Sequence, residues 1–204
     1  MCGYVGKFSI NNFYSEDVYQ ANRFNVCRGP DDLQTLEGNQ NKINYSLVFN
    51  RLSILDLTNK AAQPMQDSYG NIIMFNGEIY NHRELRKYLE SRNVKFTSNH
   101  SDTEVLLHGL KLLGTKFLKM AIGQFSIMYL NRNENTLTLI RDRVGQKPLF
   151  YYKNSQDLLI STNLKTILKL KKDFDIRDDS LMEYFDTGVI SAPNTLFKEV
   201  YKLQ

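Results

Sequence analysis

The chain opens Met1-Cys2-Gly3-Tyr4-Val5-Gly6-Lys7-Phe8-Ser9-Ile10, and the rest of the sequence reads as a setting for this stretch. Val5, Phe8 and Ile10, set among small and polar residues from Tyr4 onward, predict a first β-strand. Cys2 stands just before it. Once Met1 is removed, Cys2 carries a thiol and a free α-amine on one carbon, which is a nucleophile and a base with no other side chain needed. An α-amine titrates at about 7.7–8.0, whereas a lysine amine, at about 10.4, stays protonated at neutral pH. An N-terminal cysteine is therefore suited to acyl transfer near neutrality. The alternative is that Cys2 is a small apolar residue at the start of an edge strand.

A chain of 204 residues with 42% hydrophobic and 24% charged residues has the balance of a water-soluble domain with a full core. It has no apolar run near the roughly 18 residues a membrane span needs and no leader pattern at its start. A cytoplasmic protein with no membrane partner is expected. The net charge of +4 is mild. Lys169, Lys171 and Lys172 form the only local basic cluster, so nucleic acid is not implied. Cys2 and Cys27 could make one bridge at most, and a reduced compartment is the simpler reading. His82, His100 and His108 lack ligand spacing, so no metal site is expected.

Residues 15–27 show helical spacing behind Ser15. Arg28-Gly29-Pro30-Asp31-Asp32 reads as a rigid polar turn. Residues 45–57 read as a strand with Arg51 lodged in it, and an arginine there must be paired or face a ligand. Residues 71–80 are almost continuously apolar, interrupted by Asn76-Gly77-Glu78, which predicts a strand covered on both faces. Capping-box spacing predicts helices starting at Asn81 (with Glu84) and at Ser101 (with Glu104). The second helix should stop at Gly114, with a shorter one over 117–121. Two hairpins follow, 124–130 with 136–141 and 147–152 with 158–162. Helices over 164–170 and 180–185 and a short terminal strand complete one domain. Two groups of strands with helices between and after them suggest sheet packed on sheet with helical outer layers.

Six separated pieces then converge: Met1-Cys2-Gly3, Arg28-Gly29-Pro30-Asp31, Arg51-Leu52-Ser53-Ile54, Asn76-Gly77-Glu78-Ile79-Tyr80-Asn81, Ser101-Asp102 and the run from Arg141-Asp142-Arg143 to Lys147-Pro148-Leu149. In this order and spacing they resemble the class II glutamine amidotransferases, most nearly the N-terminal glutaminase domain of asparagine synthetases, over nearly the whole chain. The resemblance implies an α+β fold, the four-layer αββα sandwich of N-terminal-nucleophile hydrolases. It implies that Cys2 attacks the carboxamide of L-glutamine and that the Asn76 side chain and Gly77 N–H form the oxyanion hole. The residues agree: glycine allows close backbone approach, and a hairpin turn at Asn76-Gly77 is weakened by the strand continuing past it. The resemblance also implies that Arg51 grips the substrate carboxylate and Asp102, with Glu78 assisting, its ammonium. Leu52, Ser53, Ile54 and Leu55 would line the pocket through backbone, while Arg28 and Asp31 brace it. An internal salt bridge for Arg51 and a simple helix-start role for Asp102 are the alternatives.

The family pattern usually carries His where Cys27 stands and Glu where Asn163 stands. It also carries Gly-Met-Phe-Ala-Phe where this chain has Gly123-Gln124-Phe125-Ser126-Ile127. Neither a Walker loop nor a pyrophosphatase loop is present. Residues 1–204 are therefore expected to be a glutaminase domain without its ATP-dependent synthetase domain. No cofactor is expected here, ATP and magnesium belonging to the synthetase domain, which is the expected partner; a homodimer is compatible with the resemblance. The leading expectation is glutamine hydrolysis feeding ammonia to asparagine-type amidation. The alternatives are an amidotransferase for another acceptor, such as a cell-surface sugar, and a degenerate glutamine-binding or docking domain.

Overall fold

The computed structural model describes residues 2–204; removal of Met1 lies outside the described residues. Strand β1 (Gly3–Ser9) occupies an interior position of a six-stranded antiparallel sheet. Its neighbours are β3 (Ile43–Arg51) and β9 (Asp157–Ser161), with Val5 opposite Val48 on one side and Ser161 on the other. Beyond β3 lies β2 (Asp32–Gln40), and beyond β9 lie β8 (Phe150–Lys153) and β10 (Val200–Lys202). The second sheet has four strands in the order β4 (Met65–Gln66), β5 (Ile72–Ile79), β6 (Gly123–Asn131) and β7 (Thr136–Arg141).

The near-continuous apolarity of β5 has the physical cause expected of it. Ile72 and Met74 point into the core between the sheets, with Tyr4, Phe49, Met128 and Ile160. Ile73, Phe75 and Ile79 point the other way, onto helices α2 (His82–Glu90) and α3 (Asp102–Leu113). On the far side of the six-stranded sheet, α1 (Ser15–Ala21) and α4 (Leu164–Leu170) cover Val5, Val48, Tyr152 and Leu159. The molecule is thus a four-layer αββα sandwich. Helix α5 (Asp178–Thr187) lies apart from these layers, with Ser180 its only buried residue.

Local signals succeed where their partners are local. Ser101 caps α3 by accepting the Glu104 N–H at 3.2 Å. Asn81 does not cap α2. Its amide instead bridges to the Met120 carbonyl (2.9 Å) and the Ile122 N–H (2.9 Å), tying the end of β5 to the start of β6. The expected long helix over 15–27 ends at Ala21 and continues as a 3-10 helix over Asn22–Arg28. The strand expected over 45–57 stops at Arg51, and the following residues form an irregular loop. Strand β2, with no strand expected in its place, is a largely exposed edge strand without a clear apolar alternation.

Candidate active site

One cavity of about 170 Å³ opens where the two sheets and the start of α3 meet. Cys2, Arg51, Leu52, Ile54, Leu55, Gly77, Glu78 and Asp102 all border it. Sequence reasoning also named Ser53 and Asn76, which do not form its wall. The Ser53 N–H is bonded to the Asp31 carboxylate at 2.7 Å, and the Asn76 side chain is fully buried behind the wall. Asp56, Gln63, Phe75, Ser101, Thr103, Gln124 and Lys147 border the cavity without having been foreseen.

The Cys2 sulfur accepts the Leu52 N–H at 3.4 Å and faces the Leu52 carbonyl at 3.8 Å. Arg28 Nε donates to the Cys2 carbonyl at 3.3 Å, which fixes the backbone that carries the nucleophile. Asp31 completes the brace, its N–H donating to the Arg51 carbonyl at 3.0 Å. Gly29 is needed between them because a Cβ there would lie 2.3 Å from the Asn50 carbonyl oxygen. Burial pushes the Cys2 thiol up from its ordinary value, against the Leu52 N–H and Arg51, which favour the thiolate. The thiol is therefore held protonated until a base takes its proton.

Arg51 ends β3 and is buried. Its guanidinium donates to the carbonyls of Thr58 (3.0 Å) and Asp56, so the loop after the strand is wrapped around it. These two bonds use only part of the guanidinium's donor set. Asp56 stiffens the same loop by accepting the Thr58 hydroxyl (2.6 Å) and the His100 N–H (3.3 Å). Burial alone would raise its carboxyl; the Thr58 and His100 hydrogen bonds outweigh that and hold it below the usual range.

Across the cavity, Asp102 Oδ2 accepts the Ile79 N–H at 3.1 Å. Gln63 Oε1 accepts the Phe75 N–H at 2.6 Å. N–H groups of alternate residues leave a strand on the same edge, so the Gly77 N–H points out between these two, toward the cavity. A Cβ at Gly77 would lie 2.1 Å from the Gln124 carbonyl oxygen, which is why no larger residue fits. Asp102 is buried, and among the described residues no cationic side chain is paired with it. Burial pushes its carboxyl up to about 7 despite the Ile79 and Thr103 N–H groups, and Glu78 adds to the rise.

Among the described residues the cavity therefore presents a nucleophilic thiol, a strand-edge N–H without a partner, a guanidinium and a carboxylate without a cation. A small zwitterion with a reactive carbonyl fits that set. The pattern of the glutamine amidotransferase domain family matches residues 1–204.

The chain belongs to this family.

Two relatives resemble the amidotransferase domain over its full length. It is 31% identical over 209 residues to asparagine synthetase [glutamine-hydrolyzing] 1 of Bacillus subtilis, covering 32% of that protein. It is 32% identical over 223 residues to putative asparagine synthetase [glutamine-hydrolyzing] 2 of Methanocaldococcus jannaschii, covering 42%. The domain thus spans about a third of one relative's length and about two fifths of the other's. In fold it is similar to the glutamine phosphoribosylpyrophosphate amidotransferase of B. subtilis, with a TM-score of 0.67 at 16% identity over 83% of this chain and 43% of that one. The amidotransferase domain shares its sandwich fold with these solved structures. Among the described residues no helix is long and apolar enough to cross a membrane. Nor, among them, do three His, Cys, Asp or Glu side chains gather as a metal would require.

Proposed function

We propose that this domain hydrolyses glutamine to glutamate and ammonia, with Cys2 as N-terminal nucleophile. The supporting observation is the pairing, across one cavity, of an incompletely used Arg51 guanidinium with a buried, unpaired Asp102 carboxylate. That pair matches the carboxylate and ammonium of an α-amino acid, and Cys2 with the Gly77 N–H lies within the same cavity for the side-chain carboxamide.

In the proposed reaction the Cys2 α-amine takes the thiol proton, and the sulfur bonds to the carboxamide carbon. The carbonyl electron pair moves onto oxygen, where the Gly77 N–H receives it at the cavity wall and the Asn76 amide, buried directly behind that wall, is the second donor. The carbon–nitrogen bond then breaks, ammonia leaves with the proton returned by the amine, and a thioester remains. Water, deprotonated by the same amine, adds to the thioester and releases glutamate with the thiol restored. Glu78 supports Asp102 at the ammonium, and the backbone of residues 52–55 lines the remaining wall.

We further propose that the ammonia feeds an ATP-dependent amidation of the asparagine synthetase type in the cytoplasm. The relatives' additional length is the basis for this, and ATP and magnesium would be held there rather than in residues 1–204. The test is ammonia release from glutamine by residues 1–204, alongside calorimetry with ATP. Glutamine turnover without ATP binding is the expected result. An inert protein whose mass shows Cys2 at its N-terminus would overturn the glutaminase reading, and asparagine formed by this domain alone would overturn the division of labour.

A further inference from the structure

Behind the cavity wall, between the sheets, lies a group of polar side chains that the reaction above does not fully use. Asn76 on β5 and Ser126 on β6 are directly paired across the sheet, so their side chains share the face that points into the inter-sheet core. Tyr4 lies on β1, two residues beyond Cys2, and both side chains pack into this core. The Tyr4 ring stacks on Phe49 with 6.2 Å between centroids, and its hydroxyl lies near Ser126 of the opposite sheet. Tyr4, Asn76 and Ser126 are all fully buried. Yet among the described residues neither hydroxyl, nor either end of the Asn76 amide, has a completed hydrogen bond.

Four polar atoms buried on this face without completed bonds among the described residues are costly, and small shifts of the Tyr4 and Ser126 side chains that bring the atoms into range relieve that cost. Ser126 can donate to Asn76 Oδ1 while accepting from Tyr4. An asparagine amide has an acceptor end and a donor end, and only its hydrogen-bond network decides which way each faces. A hydroxyl donor at Oδ1 would hold the amide with its N–H₂ end turned outward.

We propose that Tyr4 and Ser126 are positioning residues that orient the Asn76 amide, so that its N–H₂ is presented to the oxyanion formed at Cys2. This rests on the glutaminase reading. Because Cys2 immediately precedes β1, which carries Tyr4, the same chain of hydroxyls couples the position of Cys2 to the orientation of the donor.

The test uses Ser126→Ala, Tyr4→Phe and the double variant, each checked by thermal melting. Expected is a fall in kcat of roughly tenfold with KM within a factor of two for each single variant, and no further loss in the double. In an Asn76→Ala background the same changes should have no effect on kcat. A second readout is independent of turnover: the Asn76 side-chain N–H₂ resonances should exchange slowly with water in the wild type and faster in Ser126→Ala. Folded variants with wild-type kcat, or with the same loss in the Asn76→Ala background, would overturn the proposal. So would amide exchange indifferent to both substitutions. A wild-type protein without glutamine turnover, but with the amide response intact, would overturn the glutaminase reading and leave the Tyr4–Ser126–Asn76 coupling standing.

Discussion

Asp102 accepts the Ile79 N–H at 3.1 Å and thereby joins the first turn of α3 to the open edge of β5. One carboxylate both closes the strand end and borders the cavity that holds Cys2. It does so buried, with no cationic partner among the described residues, and burial raises its proton affinity to about pH 7.

A pH dependence follows for substrate binding. Below about pH 7 Asp102 holds its proton and cannot pair with an ammonium group; above it the carboxylate is ready. KM for glutamine should therefore fall as pH rises from 6 to 8, and binding near pH 7 should release a proton. Calorimetry in buffers of different ionisation enthalpy measures that release. In the unliganded protein the sign for stability is opposite. The unfolded carboxyl ionises near 3.8 and the folded one near 7, so this group lowers stability as pH rises between those values. Asp102→Asn should flatten that part of the stability profile while raising KM strongly. A KM independent of pH from 6 to 8 would remove Asp102 from the binding site.

Cys2→Ala should abolish glutamine hydrolysis with the melting temperature nearly unchanged, because the side chain is only partly buried. Cys27→Ser should leave turnover intact, since Cys27 is exposed and outside the cavity. Intact mass should show a chain beginning at Cys2. Normal turnover by protein that keeps Met1 would count against the α-amine as base.

Arg51→Ala should raise KM for glutamine by roughly 10²-fold or more, as the substrate carboxylate loses its charged partner. It should also lower the melting temperature, because the carbonyls of Asp56 and Thr58 lose their donors. Arg51→Lys keeps the charge without the planar fork and should recover little of either. Steady-state kinetics with glutamine and with an amide lacking the α-carboxylate separate the two effects. A substitution that changes stability but treats both substrates alike would make Arg51 a loop anchor only.

Gly77→Ala should be more damaging than its size suggests. The added carbon would lie 2.1 Å from a backbone oxygen of β6, so β5 must shift at the oxyanion position. A fall in kcat of roughly 10²–10³-fold is expected, similar to that for Asn76→Ala. Asn76→Ala should leave KM nearly unchanged, whereas Gly77→Ala should also lower the melting temperature. Wild-type kcat in Asn76→Ala would reduce Asn76 to a buried structural amide.

The sequence by itself determined much of the scaffold and the chemistry on offer. The apolar run of β5 required cover on both faces, and it has the other sheet on one side and two helices on the other. Ser101 stands three residues before Glu104, within reach of its own cap. Cys2, Arg51, Gly77 and Asp102 are legible as residue types whose chemistry needs an explanation wherever they sit. Tertiary structure decided the rest, because the deciding partners are distant in the chain. Asn81 looks like a cap in sequence, but its partners lie 39 and 41 residues away, so it staples two strands instead. Strand β2 has few apolar residues of its own and exists by pairing along β3. Asn76 and Gly77 are adjacent in sequence, yet strand alternation sends one side chain into the inter-sheet core and the other residue's N–H toward the cavity. Local rules weigh neighbours within a turn or a hairpin; only the closed sandwich brings residues 2, 51, 77 and 102 to one cavity.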